Sequence, residues 1–121
     1  MKVFNKTRKI TLSRNAIYLK SFLGRMRGLM LSGKKDAILD SGRDDAAAAM
    51  IHMLLMRYPI DVAWINSKMI VVDVKKKIRP FNPFCFKTWG IYGPKRPARF
   101  VVELGLGELG TTEIGDEIKF I

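Results

Sequence analysis

The sequence predicts a mainly β domain of α+β type, a small sandwich or partly closed barrel that carries one principal helix. Three observations lead there. Short runs rich in Val, Ile, Phe and Tyr recur between turn signals along most of the chain. A clean helical stripe occurs once, between about residues 14 and 28. All but one of the five prolines fall between Ile78 and Pro97, where no helix can run through them.

Taken in order, residues 2–12 (KVFNKTRKITL) read as one or two short strands broken near Asn5-Lys6. The helix follows. Leu19, Phe22, Leu23, Met26 and Met30 lie on one face at a 3.6-residue period, with Ser13 or Asn15 as N-cap and Gly28 as stop. Ala37-Ile38-Leu39 is a short strand after the turn at Gly33-Lys34-Lys35, and 41–49 (SGRDDAAAA) is a loop or a single helical turn. Met50 to Met56 is apolar on both sides, as in a strand buried on both faces. Val62 to Ile65 and Met69 to Val74 flank Asn66-Ser67-Lys68, a hairpin signal. Ile78 to Pro97 is a long loop, Arg99 to Leu104 a strand, Gly105 to Gly110 a turn-rich stretch, and Glu117 to Ile121 a last strand.

At 121 residues and 13.8 kDa, 48% hydrophobic and 27% charged, the chain is expected to form a single domain over 1–121 with its own core. Cys85 is the only cysteine and His52 the only histidine, so an intrachain disulfide and a Cys-based zinc site are excluded. No metal or cofactor is expected. No apolar run reaches a membrane span, and Met1 to Arg14 lacks the apolar core of a signal peptide, so a cytoplasmic domain without membrane contact is expected. The absence of Gln and the presence of four Asn fit a thermophilic source.

The net charge of +11 is uneven. Residues 1–27 hold eight Lys/Arg and no acid, residues 61–99 hold nine against two acids, and residues 100–121 hold one against five. If the fold brings the two basic blocks to one face, they attract a polyanion; otherwise they are a solvated surface.

Four strings occur in a fixed order: Arg27-Gly28-Leu29-Met30; Ile51-His52-Met53-Leu54-Leu55-Met56-Arg57-Tyr58-Pro59-Ile60-Asp61-Val62; Val102-Glu103-Leu104; and Gly115-Asp116. Together they resemble domain-of-unknown-function family 192, a group of small prokaryotic and archaeal proteins with no assigned biochemical role. The resemblance runs over roughly residues 7–121. It implies a mainly β, jelly-roll-like sandwich with one helix, and it implies candidate positions rather than an activity. Leu54-Leu55 stand where several members carry polar residues, which argues against a polar site passing through them.

Several residues carry competing readings. His52, in an apolar strand, is a buried donor to a backbone carbonyl or a base or ligand contact. Arg57 and Asp61 are expected to form an ion pair across the turn at Pro59. Glu103 must point away from Val102 and Leu104, either to solvent on an edge strand or into a pocket with His52. If His52, Asp61 and Glu103 converge, they form an acid–base cluster of hydrolase type. The methionines (Met26, Met30, Met50, Met53, Met56, Met69) invite a copper reading but sit at core positions and read as core filling. Cys85 lacks a positioned base other than His52. Phe81, Phe84, Phe86, Trp89 and Tyr92 interleave with Arg79, Lys87, Lys95, Arg96 and Arg99, a pattern that grips an anion or stacks bases unless the rings fold inward.

The leading expectation is a non-catalytic binding module for an anionic partner, a small molecule or single-stranded nucleic acid. Its candidate ligand-binding residues are His52, Arg57, Asp61, Glu103, Arg79, Trp89, Arg96 and Arg99. A small hydrolase-type enzyme using His52, Asp61 and Glu103, or a structural subunit of a larger assembly, are the alternatives. The poverty of catalytic side chains favours binding.

Overall fold

The computed structural model describes residues 1–19, 36–40, 42, 51–52, 60–78, 91–92 and 96–121. Among the described residues there are ten strands and no helix: β1 (Val3–Asn5), β2 (Ile10–Ser13), β3 (Ile17–Leu19), β4 (Asp36–Asp40), β5 (Ile51–His52), β6 (Ile60–Ile65), β7 (Val71–Ile78), β8 (Ile91–Tyr92), β9 (Phe100–Leu104) and β10 (Ile118–Phe120). They form a three-stranded sheet in the order β10-β1-β2, a five-stranded sheet in the order β3-β4-β9-β6-β7, and the pair β5-β8. Among the described residues the sheets are not closed into a barrel. No helix among the described residues is long and apolar enough to cross a membrane.

The expected break near Asn5-Lys6 is a tight turn between β1 and β2. The Asn5 side-chain oxygen accepts from the Arg8 amide at 3.0 Å, and Lys9 completes the reversal in the left-handed region at φ 55°. β1 lies between β2 and β10, with Val3 opposite Phe120. Beyond that pair, Lys2 and Ile121 exchange backbone hydrogen bonds of 2.8 and 2.9 Å. The Asn66 hairpin also forms: its side-chain oxygen accepts from the amides of Lys68 and Ile70, both at 3.0 Å, and Met69 takes φ 66°. The hairpin tip joins the two larger sheets, since Ile118 donates to the Met69 carbonyl at 2.8 Å and Ile70 bridges Glu117.

Period-two alternation sorts the five-stranded sheet into two faces. The first, with Ile38, Ala63, Ile65, Phe100, Val102 and Leu104, packs with Val3, Leu12, Leu109 and Ile118 into one core. Met69 packs against that core, as expected of a gap-filling methionine. The second face carries Ala37, Leu39, Val62, Trp64 and Val101, each at most 1% exposed. β9 and β6 are thus buried on both sides, which is why FVVEL and IDVAWI read as near-continuous apolar runs.

The sequence-based assignment needs correcting at its helix. Ile17–Leu19, inside the expected helical span, is strand β3, paired in parallel with β4 at Ile17↔Ala37, Tyr18↔Ile38 and Leu19↔Leu39. Ile-Tyr-Leu suits a pleated surface, and the fully buried Ala37–Leu39 strand offers it a ladder, so tertiary pairing overrides the local helical spacing. Residues 20–28, most of the expected helix, lie outside the described residues. Ser13, proposed as an N-cap, closes β2. The expected loop from Ile78 to Pro97 is also interrupted, because β7 runs through Ile78 and β8 pairs antiparallel with β5.

Candidate functional site

Four buried aspartates fasten the loops around the core. Asp36 and Asp40 bracket β4 and lie on its first face with Ile38. Asp36 accepts from the Ser13 hydroxyl and from the amides of Leu106 at 2.8 Å and Gly107 at 3.0 Å. Asp40 accepts from the Gly42 amide at 2.8 Å, the Tyr18 hydroxyl, and the Arg99 guanidinium at 2.9 and 3.2 Å. Burial alone raises the Asp40 carboxyl, but these donors outweigh it and hold it at about 2. Asp61 accepts from the Lys77 amide at 2.9 Å and the Leu109 amide at 3.0 Å. Asp116 accepts from Asn5, Arg8 and the Glu113 amide at 3.0, 2.8 and 3.1 Å. Burial pushes the Asp116 carboxyl up, and the hydrogen bonds from Asn5 and Arg8 bring it below the usual carboxylate range.

Glu103 behaves differently. It sits on the central strand β9, on the second face, between its register partners Ala37 and Val62. It is 6% exposed, and among the described residues no hydrogen bond or ion pair reaches its carboxyl. Burial pushes it up to about 7. The edge-strand reading is therefore corrected: Glu103 is an interior acid whose register neighbours are apolar. Asp73, also buried, shares the second face as register partner of Trp64.

The candidate residues are not gathered at one place. Asp61 lies opposite Leu104, so its side chain belongs to the first face, while Glu103 belongs to the second. The backbone of His52 pairs with Ile91, and nothing more of it is described. Arg57, Arg79 and Trp89 lie outside the described residues, as does the proposed Arg57–Asp61 contact. Arg96 is exposed, whereas Arg99 is bound to Asp40 and stacked 4.9 Å from the Phe100 ring. Among the described residues no cluster of His, Cys, Asp or Glu is arranged to hold a metal.

The fold does bring members of the two basic blocks together. Lys6 from the first block, Lys68 from the second, and Lys119 line a shallow groove of about 460 Å³ over Met69, Ile118 and Phe120. The Ile118–Met69 hydrogen bond, and one of 2.8 Å from the Lys6 amide to the Glu117 carbonyl, hold its walls in place. Lys6 lies 3.5 Å from the Glu117 carboxylate, with both side chains half exposed. Among the described residues Lys68 and Lys119 have no ion-pair partner. Sequence reasoning did not single out Lys119 or Phe120, nor the roles of Asp36, Asp40 and Asp116. For Asp36 and Asp40 a signal was present: two acids four residues apart share one face of a strand, at its two ends.

The family model described as DUF192, uncharacterized ACR, matches residues 5–120. A UPF0127 protein of Thermococcus kodakarensis is 35% identical over 104 residues, and the match covers 83% of this chain but 60% of that protein. A UPF0127 protein of Pyrococcus horikoshii is 31% identical over 121 residues, covering 98% of this chain and 97% of that one. The chain therefore spans about three-fifths of the first relative's length and nearly all of the second's. In fold it is similar to the crystal structure of "a putative transcription regulator" from Sinorhizobium meliloti 1021, with a TM-score of 0.75 at 18% identity, covering 98% of this chain and 89% of that chain. A protein of unknown function from Novosphingobium aromaticivorans gives a TM-score of 0.74 at 16% identity, covering 98% of this chain and 82% of that chain. The strings that prompted the resemblance fall within the matched span, and the chain belongs to the DUF192 (UPF0127) family.

Proposed function

We propose that the protein is a non-catalytic binding module for an anionic partner, which it meets at the groove of Lys6, Lys68 and Lys119. The observation that carries this reading is the meeting of cations from distant parts of the chain over a partly apolar floor. Of the described aspartates, Asp36, Asp40, Asp61 and Asp116 all accept backbone or arginine hydrogen bonds, which leaves them poorly placed for chemistry on a substrate. Lys75 and Lys77 on β7 add exposed positive charge. Phe120, packed edge-on against Phe100 at 5.2 Å, supplies a fixed aromatic surface in the groove. A jelly-roll-like arrangement and a cytoplasmic setting go with this reading.

The test is an anisotropy titration of labelled single-stranded RNA at several salt concentrations. Three lysine–phosphate contacts give a log–log salt slope of about 2, and the triple variant Lys6→Ala, Lys68→Ala, Lys119→Ala should abolish it. Absence of binding at low salt to both RNA and inorganic triphosphate overturns the reading.

A second reading, a small hydrolase-type enzyme, is favoured by Glu103 alone. A carboxyl that titrates near 7 suits a general acid. In that reading His52 is its partner and Asp61, on the opposite face, is not. Turnover of chromogenic esters that disappears in Glu103→Gln, in a variant that melts no lower than the parent, would support it; absence of turnover in the parent protein would remove it.

A further inference from the structure

A second cleft lies between the two larger sheets, away from the lysine groove. It has a volume of about 600 Å³ and is lined by Thr11 of β2, by Arg14 and Asn15 just after that strand, and by Leu106 and Glu108 of the loop after β9. Its walls are locked from below. Asp36 ties Ser13 of the three-stranded sheet to the amides of Leu106 and Gly107, so both sides of the cleft share one buried carboxylate. Gly107 lets the loop come close to β2, because a Cβ there would sit 2.0 Å from the Leu12 carbonyl oxygen.

Arg14 and Glu108 are the exposed charged side chains of this cleft, while Asp36, which also lines it, is buried and taken up by Ser13, Leu106 and Gly107. Arg14 and Glu108 are not paired with each other, and among the described residues neither has another hydrogen-bonding or ionic partner. Among the described residues, one cleft therefore holds an unpaired cation on its β2 side and an unpaired anion on its loop side. We propose that this cleft binds a small zwitterion of the amino-acid or short-peptide type, its carboxylate on Arg14 and its ammonium on Glu108. A ligand carrying both charges satisfies both walls at once, whereas a ligand with one charge leaves the other wall unanswered. The volume falls within the range of small-molecule sites.

The experiment uses the whole chain, isotopically labelled, and follows its amide resonances while glycylglycine is added to about 10 mM, the scale of a weak small-ligand site. Shifts confined to residues 11–15 and 105–108 are expected. N-acetylglycine and glycinamide, each carrying one charge, should bind roughly three-fold or more weakly. Arg14→Gln and Glu108→Gln should each abolish the preference for the doubly charged ligand while leaving the melting temperature unchanged. Equal responses to all three probes, or no response in residues 11–15 and 105–108, would overturn the proposal. Neither outcome bears on the lysine groove.

Discussion

Asp61 and Glu103 sit one register position apart on neighbouring strands, and their carboxyls face opposite sides of the same sheet. The separation gives the two acids different physics. Asp61 points into the core shared by the two larger sheets and is consumed by the Lys77 and Leu109 amides. Glu103 points to the second face, where its register neighbours are apolar.

Replacing Asp61 with alanine strands two amides, one of them the buried Leu109 N–H. A loss of about 2 kcal/mol is expected, because leaving a buried donor unpaired costs more than the net value of the bond. Urea unfolding checks this. An unchanged midpoint would mean that the loop at Leu109 is held by something else.

Glu103 should make stability fall as pH rises. Its carboxyl titrates near 7 in the folded protein against an ordinary value of 4.5. Below about pH 4.5 it is protonated in both states and carries no penalty. Between there and pH 7 the unfolded chain ionises first, and above 7 the full penalty of roughly 3 kcal/mol is present. Glu103→Gln keeps the shape without the charge, so its unfolding free energy should be flat over this window and exceed the parent's at pH 8. Parallel pH profiles for the two proteins would refute the assignment.

Gly107→Ala places a methyl group 2.0 Å from the Leu12 carbonyl oxygen, a backbone atom that cannot turn aside. The loop must lift, loosening its bonds to Asp36, and a loss of about 3 kcal/mol should appear as a lower melting temperature. A melting curve like the parent's would show that the close approach relaxes freely.

Lys9→Gly should act in the other direction. Lys9 is exposed and holds φ 55°, a conformation that disfavours a side chain. Relief of that strain outweighs the added freedom of the unfolded chain by up to about 1 kcal/mol. A destabilised variant would show that the Lys9 side chain contributes something the geometry does not reveal.

The strands were legible where their sequence told one story. Phe100–Leu104 and the Asn66 hairpin carry β-branched and aromatic residues bounded by turn formers, and local preference agrees with the fold. Ile17–Leu19 misled because a stripe at helical spacing began at Leu19, while the deciding partner, β4, lies about twenty residues further on. For the candidate site, alternation correctly turned Glu103 away from Val102 and Leu104. Strand order, which decides between an edge and a centre, depends on pairings that no local window contains. The basic groove was hidden for the same reason, since Lys6, Lys68 and Lys119 meet through strand pairing and a hairpin tip.

Because Val3 pairs with Phe120, the three-stranded sheet can close only when two segments far apart in sequence are both present. Residues 1–13 are synthesised well before residues 118–120 and can close their own hairpin, yet β1 keeps one edge open until residues 118–120 emerge. An open edge on a nascent chain is a surface for wrong pairing, and contacts this distant in sequence form slowly. Ribosome-bound chains halted before residue 118 should therefore be cut readily by protease within residues 1–13, and chains that include folded residues 118–120 should resist.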